Sequence, residues 1–326
     1  MIKNLIYAIL LSMYSMTLNA QTCCSGGIPL SNNIGLDILG KGILQINLSY
    51  DYNNLNTLNI GKDKIDDSAR LRTTNSVLLN LSYSITNDFA IEGLLSWVAQ
   101  KREITQFRNE NTDRSSGIGD GVLLAKYNFS EVLGQQSAVR FGLGVKIPIG
   151  STTKTNSQGI VLNADMQPGS GAWDVIYWGQ ALKNFKFRPS LNFSVRAIYR
   201  GTGVNNDYFG STSYEFGNEF QTFLSFTDEF IVFNKISVPS ISFKYRHAKQ
   251  DKIGGFEIDN TGGEWVFFIP NFTINLSSNF AMSIKAELPI YSYVDGTQLT
   301  PTYRITSGVL YKIPLKKKLK FYKNEE

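Results

Sequence analysis

The chain has 326 residues, a formal net charge of +5 at pH 7, 13% aromatic residues and two cysteines. Two cysteines exclude a disulfide-built fold, and a mild basic excess spread along the chain argues against nucleic acid as a partner. After residue 20, no apolar run approaches the roughly 20 residues that a membrane-spanning helix needs, so a helical membrane protein is excluded as well.

Residues 1–20 have the pattern of a secretory signal peptide. Lys3 precedes an apolar core over residues 5–11, and the small residue Ala20 lies where a peptidase would cut. Removing this leader takes away Lys3 and lowers the formal charge from +5 to +4. The mature protein is therefore predicted to leave the cytoplasm, and residues 21–40 are expected to form a periplasmic or plug segment.

From residue 42 onward, stretches of about ten residues alternate apolar and polar side chains. In residues 139–149, Phe141 and Leu143 project to one side of a strand, while Arg140 and Lys146 project to the other. Marking each such stretch predicts twelve strands, an even number, as single-chain bacterial barrels require. They cover residues 42–53, 72–86, 89–104, 120–129, 138–149, 172–183, 188–201, 214–226, 236–248, 264–276, 280–291 and 301–313.

The connections between these strands alternate between long polar linkers and tight turns. The linkers cover residues 54–71, 105–119, 150–171, 202–213, 249–263 and 292–300. This asymmetry is typical of outer-membrane barrels, whose short turns lie in the periplasm. The predicted fold is all-β: a transmembrane antiparallel up-and-down barrel over residues 41–315. A soluble β-sandwich is the alternative, but its strands are about five or six residues long, shorter than those predicted here.

Alternation also assigns side chains to the two faces of the barrel. Aromatic residues near strand ends are predicted to form girdles at the headgroups: Tyr50, Tyr52, Trp97, Phe107, Trp173, Tyr199, Tyr245, Phe280 and Tyr303. Charged residues of the opposite parity are predicted to face a polar lumen of mixed charge. These lumen candidates are Asp51, Glu92, Arg102, Lys126, Arg140, Lys146, Asp174, Arg196, Arg200, Glu219, Lys244, Arg246, Lys285, Glu287 and Arg304.

Three short motifs lie in the middle of the chain, at residues 117–120 (GIGD), 144–150 (GVKIPIG) and 168–174 (PGSGAWD). Together they resemble the outer-membrane family named for the meta-pathway of phenol degradation, over roughly residues 115–315. That resemblance implies a transporter or channel for aromatic or other small hydrophobic compounds. Physically, the motifs favour a structural role: Asp120 closes a loop, and Asp174 is expected to pair with Lys146 or Lys126 near the outer mouth.

The expected function is a narrow channel for passive uptake or efflux of small molecules, partly obstructed by residues 21–40 or by the 150–171 loop. The alternative is a non-transporting structural or surface-interaction barrel. A lipid-modifying hydrolase needs a histidine base, and the one histidine, His247, is predicted to point outward. We therefore expect no enzymatic activity and no cofactor.

Cys23 and Cys24 follow the predicted cleavage site almost at once. A lipid anchor, a weak site for a soft metal and a disulfide are the three interpretations, of which the disulfide fits an oxidising periplasm best. Residues 316–326 are predicted to form a basic periplasmic tail. The predicted location is the bacterial outer membrane, with lipid, lipopolysaccharide and a small solute as partners and no nucleic acid; the oligomeric state is not predicted.

Overall fold

The structure is a computed structural model that describes residues 34–66, 69–105 and 111–315. The predicted leader, the Cys23–Cys24 pair, Phe107 and the basic tail lie outside the described residues, and the side chain of Arg102 is not described. Within the described part of the chain, no helix is long and apolar enough to cross a membrane.

Twelve long strands form one closed antiparallel sheet, which confirms the predicted barrel. Each strand pairs with its neighbour in the chain, and the last pairs with the first from Ile43↔Pro314 to Asn54↔Tyr303. The strands are β1 Ile43–Leu55, β2 Arg70–Ser84, β3 Phe89–Thr105, β4 Asn111–Ser130, β5 Ser137–Ile147, β6 Asp174–Phe185, β7 Arg188–Gly201, β8 Glu219–Thr227, β9 Lys235–Ala248, β10 Gly263–Asn275, β11 Phe280–Thr300 and β12 Tyr303–Pro314.

The predicted alternation of faces is visible in β1. Gln45 and Asp51 are each 1% exposed, whereas Leu48 and Tyr50 are 46% and 47% exposed on the outer surface. Side chains of a strand point alternately to opposite faces, so closure of the sheet puts one set in the interior and presents the other to lipid.

Three predicted strand bounds are wrong in an informative way. β4 begins at Asn111, because residues 111–115 pair with the end of β3, and β11 continues to Thr300, because residues 297–300 pair with residues 57–60. The stretch 214–226 is instead divided: Thr212–Glu215 is a separate short strand, and β8 begins only at Glu219. Gly217 lies between them, so close to the chain that a Cβ there would be 1.8 Å from the carbonyl oxygen of Lys249.

The long loops carry small sheets of their own. Thr57–Gly61 forms a hairpin with Asp63–Ile65 and pairs with the outer end of β11. A separate four-stranded sheet joins the loop after β7 to the loop after β9. We call it the loop sheet; its strands are Val204–Tyr208, Thr212–Glu215, Lys252–Ile253 and Phe256–Glu257.

The interior holds an apolar layer that the sequence prediction of a uniformly polar lumen missed. Its buried members come from strands all around the barrel: Leu78, Leu94, Val122, Leu124, Ile176, Trp178, Ile198, Phe223, Trp265, Phe267, Ile269 and Val294, joined by Ile34. Apolar side chains on the inner face of a strand break simple alternation, so the periodicity of a single strand does not reveal them. The barrel is therefore packed at mid-height rather than hollow.

Candidate functional site

The segment before β1 enters the barrel instead of remaining in the periplasm. We call residues 34–41 the strap. The backbone N–H groups of Gly35 and Leu36 donate to the two carboxylate oxygens of Glu92, at 2.8 and 3.1 Å. Lys126 Nζ lies 2.5 Å from Glu92 and also donates to the Leu36 carbonyl oxygen. A buried carboxylate thus holds two backbone donors and one cation, which compensates for its removal from water.

The strap continues down the inner surface of β2–β6, which we call the strapped wall. Asp37 pairs with Arg140 of β5 at 2.6 Å. Nearer the periplasmic end, the Leu39 N–H donates to Ser84 Oγ at 3.1 Å, and the Lys41 N–H donates to Asn87 Oδ1 at 3.0 Å. These contacts follow one side of the lumen from its centre to its periplasmic rim.

The tip of the strap fits tightly into the apolar layer. Ile34 is 2% exposed and packs within it. Gly35 has φ +99°, and a Cβ at that position would lie 2.8 Å from the indole ring of Trp178. Position 35 therefore requires glycine for two reasons: the backbone has a positive φ, and it lies too close to the Trp178 ring for a Cβ atom.

The three sequence motifs, separated along the chain, meet at one place in the outer half of the barrel. Asp120 accepts hydrogen bonds from the backbone N–H and the hydroxyl of Ser170, at 3.0 and 2.6 Å, and from the Gly150 N–H at 3.2 Å. Lys146 Nζ lies 2.7 Å from Asp174 and 3.4 Å from Asp120. Of the two expected partners of Asp174, the structure selects Lys146, because Lys126 is engaged by Glu92.

A band of alternating charge continues from this junction around the inner wall. Arg200 Nη2 lies 3.1 Å from Glu219, and Arg246 Nε lies 2.6 Å from the same carboxylate. The Arg246 guanidinium also stacks 4.7 Å above the ring of Trp265. Neighbouring strands β4–β9 thus contribute one charged side chain each, so this part of the lumen is lined by charges of both signs.

The loop between β5 and β6 folds into the outer mouth. We call its residues 162–167, which are buried except for Asn163, the outer cap. Asp165 pairs with Arg72, whose guanidinium also lies 2.7 Å from Glu103. Lys101 Nζ donates to the carbonyl oxygens of Asp165 and Gln167, at 3.0 and 2.6 Å. Charged side chains of β2 and β3 therefore hold this loop against the strapped wall.

The loop sheet packs against the outer cap, because Ala164 of the cap belongs to the same buried cluster as Tyr208 and Tyr214. Tyr208, Tyr214 and Phe216 are buried together, and Asp251 accepts hydrogen bonds from the Tyr214 hydroxyl at 2.6 Å and the Gly217 N–H at 2.7 Å. Burial raises the pKa of Asp251 to about 6 in spite of these bonds, because desolvation disfavours the charged form. Burial likewise raises the pKa of Tyr208 to about 12.

The inner surface of β7–β12 and β1, which we call the open wall, meets the strap at Gln45 of β1, whose Nε2 donates to the Asp37 carbonyl oxygen at 2.6 Å. Two buried ion pairs lie on it: Lys244 with Glu287, and Arg304 with Asp51 at 2.8 Å. Below them a cavity of about 330 Å³ extends toward the periplasmic ends of the strands, between this wall and the strap. Arg196 and Lys285 both line this cavity.

The structure places the predicted lumen candidates on the inner surface, apart from Arg102, whose side chain is not described. It places Arg196 and Lys285 at the cavity and joins the other described candidates into the three groups above: strap anchors, outer band and open-wall pairs. Sequence reasoning missed Arg72, Lys101, Asp120 and Asp165 as interior charges. Strand parity could have found Arg72, whereas Asp165 lies in a loop without any periodicity.

His247 lies away from all of these groups. Its strand neighbour Arg246 faces the interior, so His247 points outward, and its Nδ1 lies 3.5 Å from Glu264 Oε1. Both side chains are nearly half exposed, at 42% and 43%. The pair is therefore a partly exposed cross-strand contact on the outer surface.

Comparison with known proteins places the chain in a family. The family model described as "Putative MetA-pathway of phenol degradation" matches residues 68–299. The chain belongs to this family. All three motifs and strands β2–β10 lie entirely within the matched segment, so the match covers the outer junction described above.

A solved outer-membrane channel has the same architecture. The COG4313 outer membrane channel from Pseudomonas putida F1 has a TM-score of 0.64 at 15% identity, covering 88% of this chain and 100% of that one. The NanC porin has a TM-score of 0.44 at 12% identity, covering 83% and 100%. No curated protein matches the sequence. The chain is a transmembrane β-barrel of the outer-membrane type.

Proposed function

We propose that this protein is an outer-membrane channel that passes small molecules when the strap moves aside, with no chemistry of its own. The main support is the set of contacts that hold the strap. Those described are hydrogen bonds, one exposed ion pair and apolar packing against Trp178. Each such contact has a modest net free energy, so the strap can be released without unfolding the barrel.

The chemistry of the path supports small amphiphilic solutes. A molecule crossing the lumen meets paired charges in the outer half, the apolar layer at the centre and a polar cavity below. Family membership adds aromatic or other small hydrophobic compounds as candidates, for passive uptake or efflux. No histidine takes part: the outward position of His247 removes it from this path, and His247→Ala should leave solute flux unchanged.

A reversible lock on the strap tests the proposal. In a Cys23→Ser, Cys24→Ser background, Leu39→Cys with Ser84→Cys joins the strap to β2 at a contact of 3.1 Å between the Leu39 nitrogen and the Ser84 hydroxyl oxygen. We expect conductance in planar bilayers that falls in the oxidised form and returns on reduction. Ser84→Cys alone is the control and should conduct in both states.

The alternative is a sealed barrel that acts through its surface. It is supported by the segments that narrow the lumen: the strap along one wall, and the outer cap with the loop sheet toward the outer mouth. Liposome swelling separates the two functions. Steady solute entry supports the channel, whereas a tight seal from the reduced protein as well as the oxidised one contradicts it.

A further inference from the structure

A concave groove lies on the lipid-facing surface of strands β3–β8. Its volume is about 620 Å³. The smallest side chains along it belong to Ala125, Gly179 and Ala197, so the surface is lowest there. Aromatic rings surround this low ground: Phe89, Tyr127, Phe141, Tyr177, Tyr199 and Phe220. We call this depression the outer groove.

Strand register explains the shape of the outer groove. Gly179 of β6 pairs with Phe141 of β5 on one side and with Ala197 of β7 on the other. Two residues along β6, Tyr177 pairs with Tyr199, and their ring centroids lie 6.2 Å apart. Outward positions with small side chains therefore adjoin outward positions with large rings, which leaves a depression in the wall.

The position of the outer groove indicates what fills it. Phe141 and Tyr177 are more than half exposed on strands that span the membrane, so acyl chains surround them. Those chains are as apolar as the groove, so the gain on filling it comes from dispersion contacts that an empty depression lacks. A second barrel related by a two-fold axis places the same surface against itself, so depression faces depression and neither is filled. A flexible acyl chain fits better.

A lysine lies where the outer groove approaches the periplasmic rim. Gly179, Ala181 and Lys183 share the outer face of β6, in that order toward the periplasm. Lys183 Nζ donates to the Leu133 carbonyl oxygen at 2.9 Å, which holds the ammonium against the neighbouring turn. An ammonium has three donors, so this contact leaves room for a ligand oxygen.

The turn after β6 adds to the positive charge at this level. Lys186 is exposed there, beside Phe187, which is 80% exposed. Arg188 is held by Asp228 at 2.6 Å. The turns at residues 86–88 and 277–279 contain no lysine or arginine. Cations and exposed rings at one level of a barrel are typical of contact with lipid headgroups, and anionic headgroups above all.

We propose that the outer groove binds one anionic glycerophospholipid of the inner leaflet. One acyl chain lies over Gly179 and Ala197 between the aromatic rings. The headgroup phosphate accepts a charge-assisted hydrogen bond from Lys183, and Lys186 adds attraction for the negative headgroup. The site lies on the outer surface of the barrel, so it does not depend on whether the lumen conducts.

Native mass spectrometry of the full-length protein, released from detergent micelles, tests this site. Dioleoyl phosphatidylglycerol and dioleoyl phosphatidylcholine are the probes, because their acyl chains are identical and only the first has a net negative headgroup. We expect one retained phosphatidylglycerol per barrel, and retention of phosphatidylcholine lower by roughly tenfold.

Ala197→Leu tests the place of the acyl chain, because it fills the lowest part of the outer groove. It should weaken retention of both lipids by roughly tenfold. Ala286→Leu is the matched control: Ala286 pairs with the exposed Ile305 on another side of the barrel, outside the groove. This control should retain phosphatidylglycerol like the unchanged protein.

Lys183→Gln tests the place of the phosphate. It should remove most of the preference for phosphatidylglycerol and leave retention of phosphatidylcholine unchanged. Lys235→Gln is its matched control, because Lys235 makes the same type of contact at another periplasmic turn, where its Nζ donates to the Leu276 carbonyl oxygen at 2.8 Å. This second control should keep the preference.

Equal retention of the two lipids by the unchanged protein would overturn the inference, as would full phosphatidylglycerol retention by folded Ala197→Leu and Lys183→Gln barrels. A two-barrel species that Ala197→Leu abolishes would assign the outer groove to a second copy of the chain and would also overturn it. The heat-resistant compact band in electrophoresis establishes that each variant is folded, and Ala197→Val replaces Ala197→Leu if the latter is not.

Discussion

The strapped wall and the open wall enclose the same lumen but use their interior charges differently. On the strapped wall, Glu92 and Lys126 satisfy the backbone of the strap as well as each other. On the open wall, Glu287 and Asp51 pair with Lys244 and Arg304 directly, and a cavity remains beside them. The difference shows that interior ion pairs can either hold a separate segment of the chain or pair only with each other on the inner surface of the barrel.

The largest effect on open probability is expected from a substitution on the strapped wall. Glu92→Gln removes the charge that compensates Lys126 and weakens the acceptors for Gly35 and Leu36, so the strap should detach. Loss of one partner of a buried pair costs about 3–5 kcal/mol. We expect the open probability in planar bilayers to rise by roughly tenfold or more.

Glu287→Gln is the matched control on the open wall, since it leaves Lys244 without its carboxylate at similar burial. It should lower the melting temperature of the barrel without changing the open probability. An equal rise in open probability for both variants would contradict the distinction between the walls.

A smaller effect is expected at the tip of the strap. Gly35→Ala places a Cβ 2.8 Å from the Trp178 ring in a backbone conformation that alanine tolerates poorly. The strap tip should leave the apolar layer, which raises conductance and the fluorescence accessibility of tryptophan to a soluble quencher. Gly40→Ala is the control, because its Cβ would meet nothing closer than 3.9 Å. If Gly35→Ala resembles Gly40→Ala in both measurements, the fit of the tip does not hold the strap.

The loop sheet, which joins loops of the open wall, should respond to pH. Burial raises the pKa of Asp251 from 3.8 to about 6, so the folded sheet favours the protonated form. Its contribution to stability is complete below pH 4 and is lost as the pH rises through 6. After correction for intrinsic rates, hydrogen exchange at Glu215 and Ile253 should be roughly tenfold slower at pH 4 than at pH 7.

Asp251→Asn keeps that side chain neutral at every pH. Its exchange rates, corrected in the same way, should vary little between pH 4 and pH 7. A variant that retained the full pH response would place the titrating group elsewhere in the loop sheet.

The smallest effect is expected at the exposed end of the strap. Asp37 is 67% exposed, so its pair with Arg140 contributes at most about 1 kcal/mol. Arg140→Gln should change open probability by no more than about fivefold, and high salt should reproduce the change in the unchanged protein. A change in open probability as large as that caused by Glu92→Gln would show that Asp37 is the main anchor of the strap.

Much of the fold could be predicted from sequence because its signal is local. Each strand of the barrel has its own alternation, so the twelve strands, the outward position of Leu48 and Tyr50 and the asymmetry of turns and loops follow from short windows. The three motifs also indicated where loops join strands. The resemblance they carried led to the family that the comparison establishes.

The tertiary structure decided which interior groups meet. Asp174 pairs with Lys146 and not with Lys126 because of strand register. Lys126 pairs instead with Glu92, and both of these side chains bind the strap. The burial of Asp165 against Arg72 depends on a loop that has no period, and the apolar layer around Trp178 and Trp265 exists only because closure brings distant strands together. Alternation fixes the face on which a side chain lies, but its partner across the lumen is set by closure of the barrel.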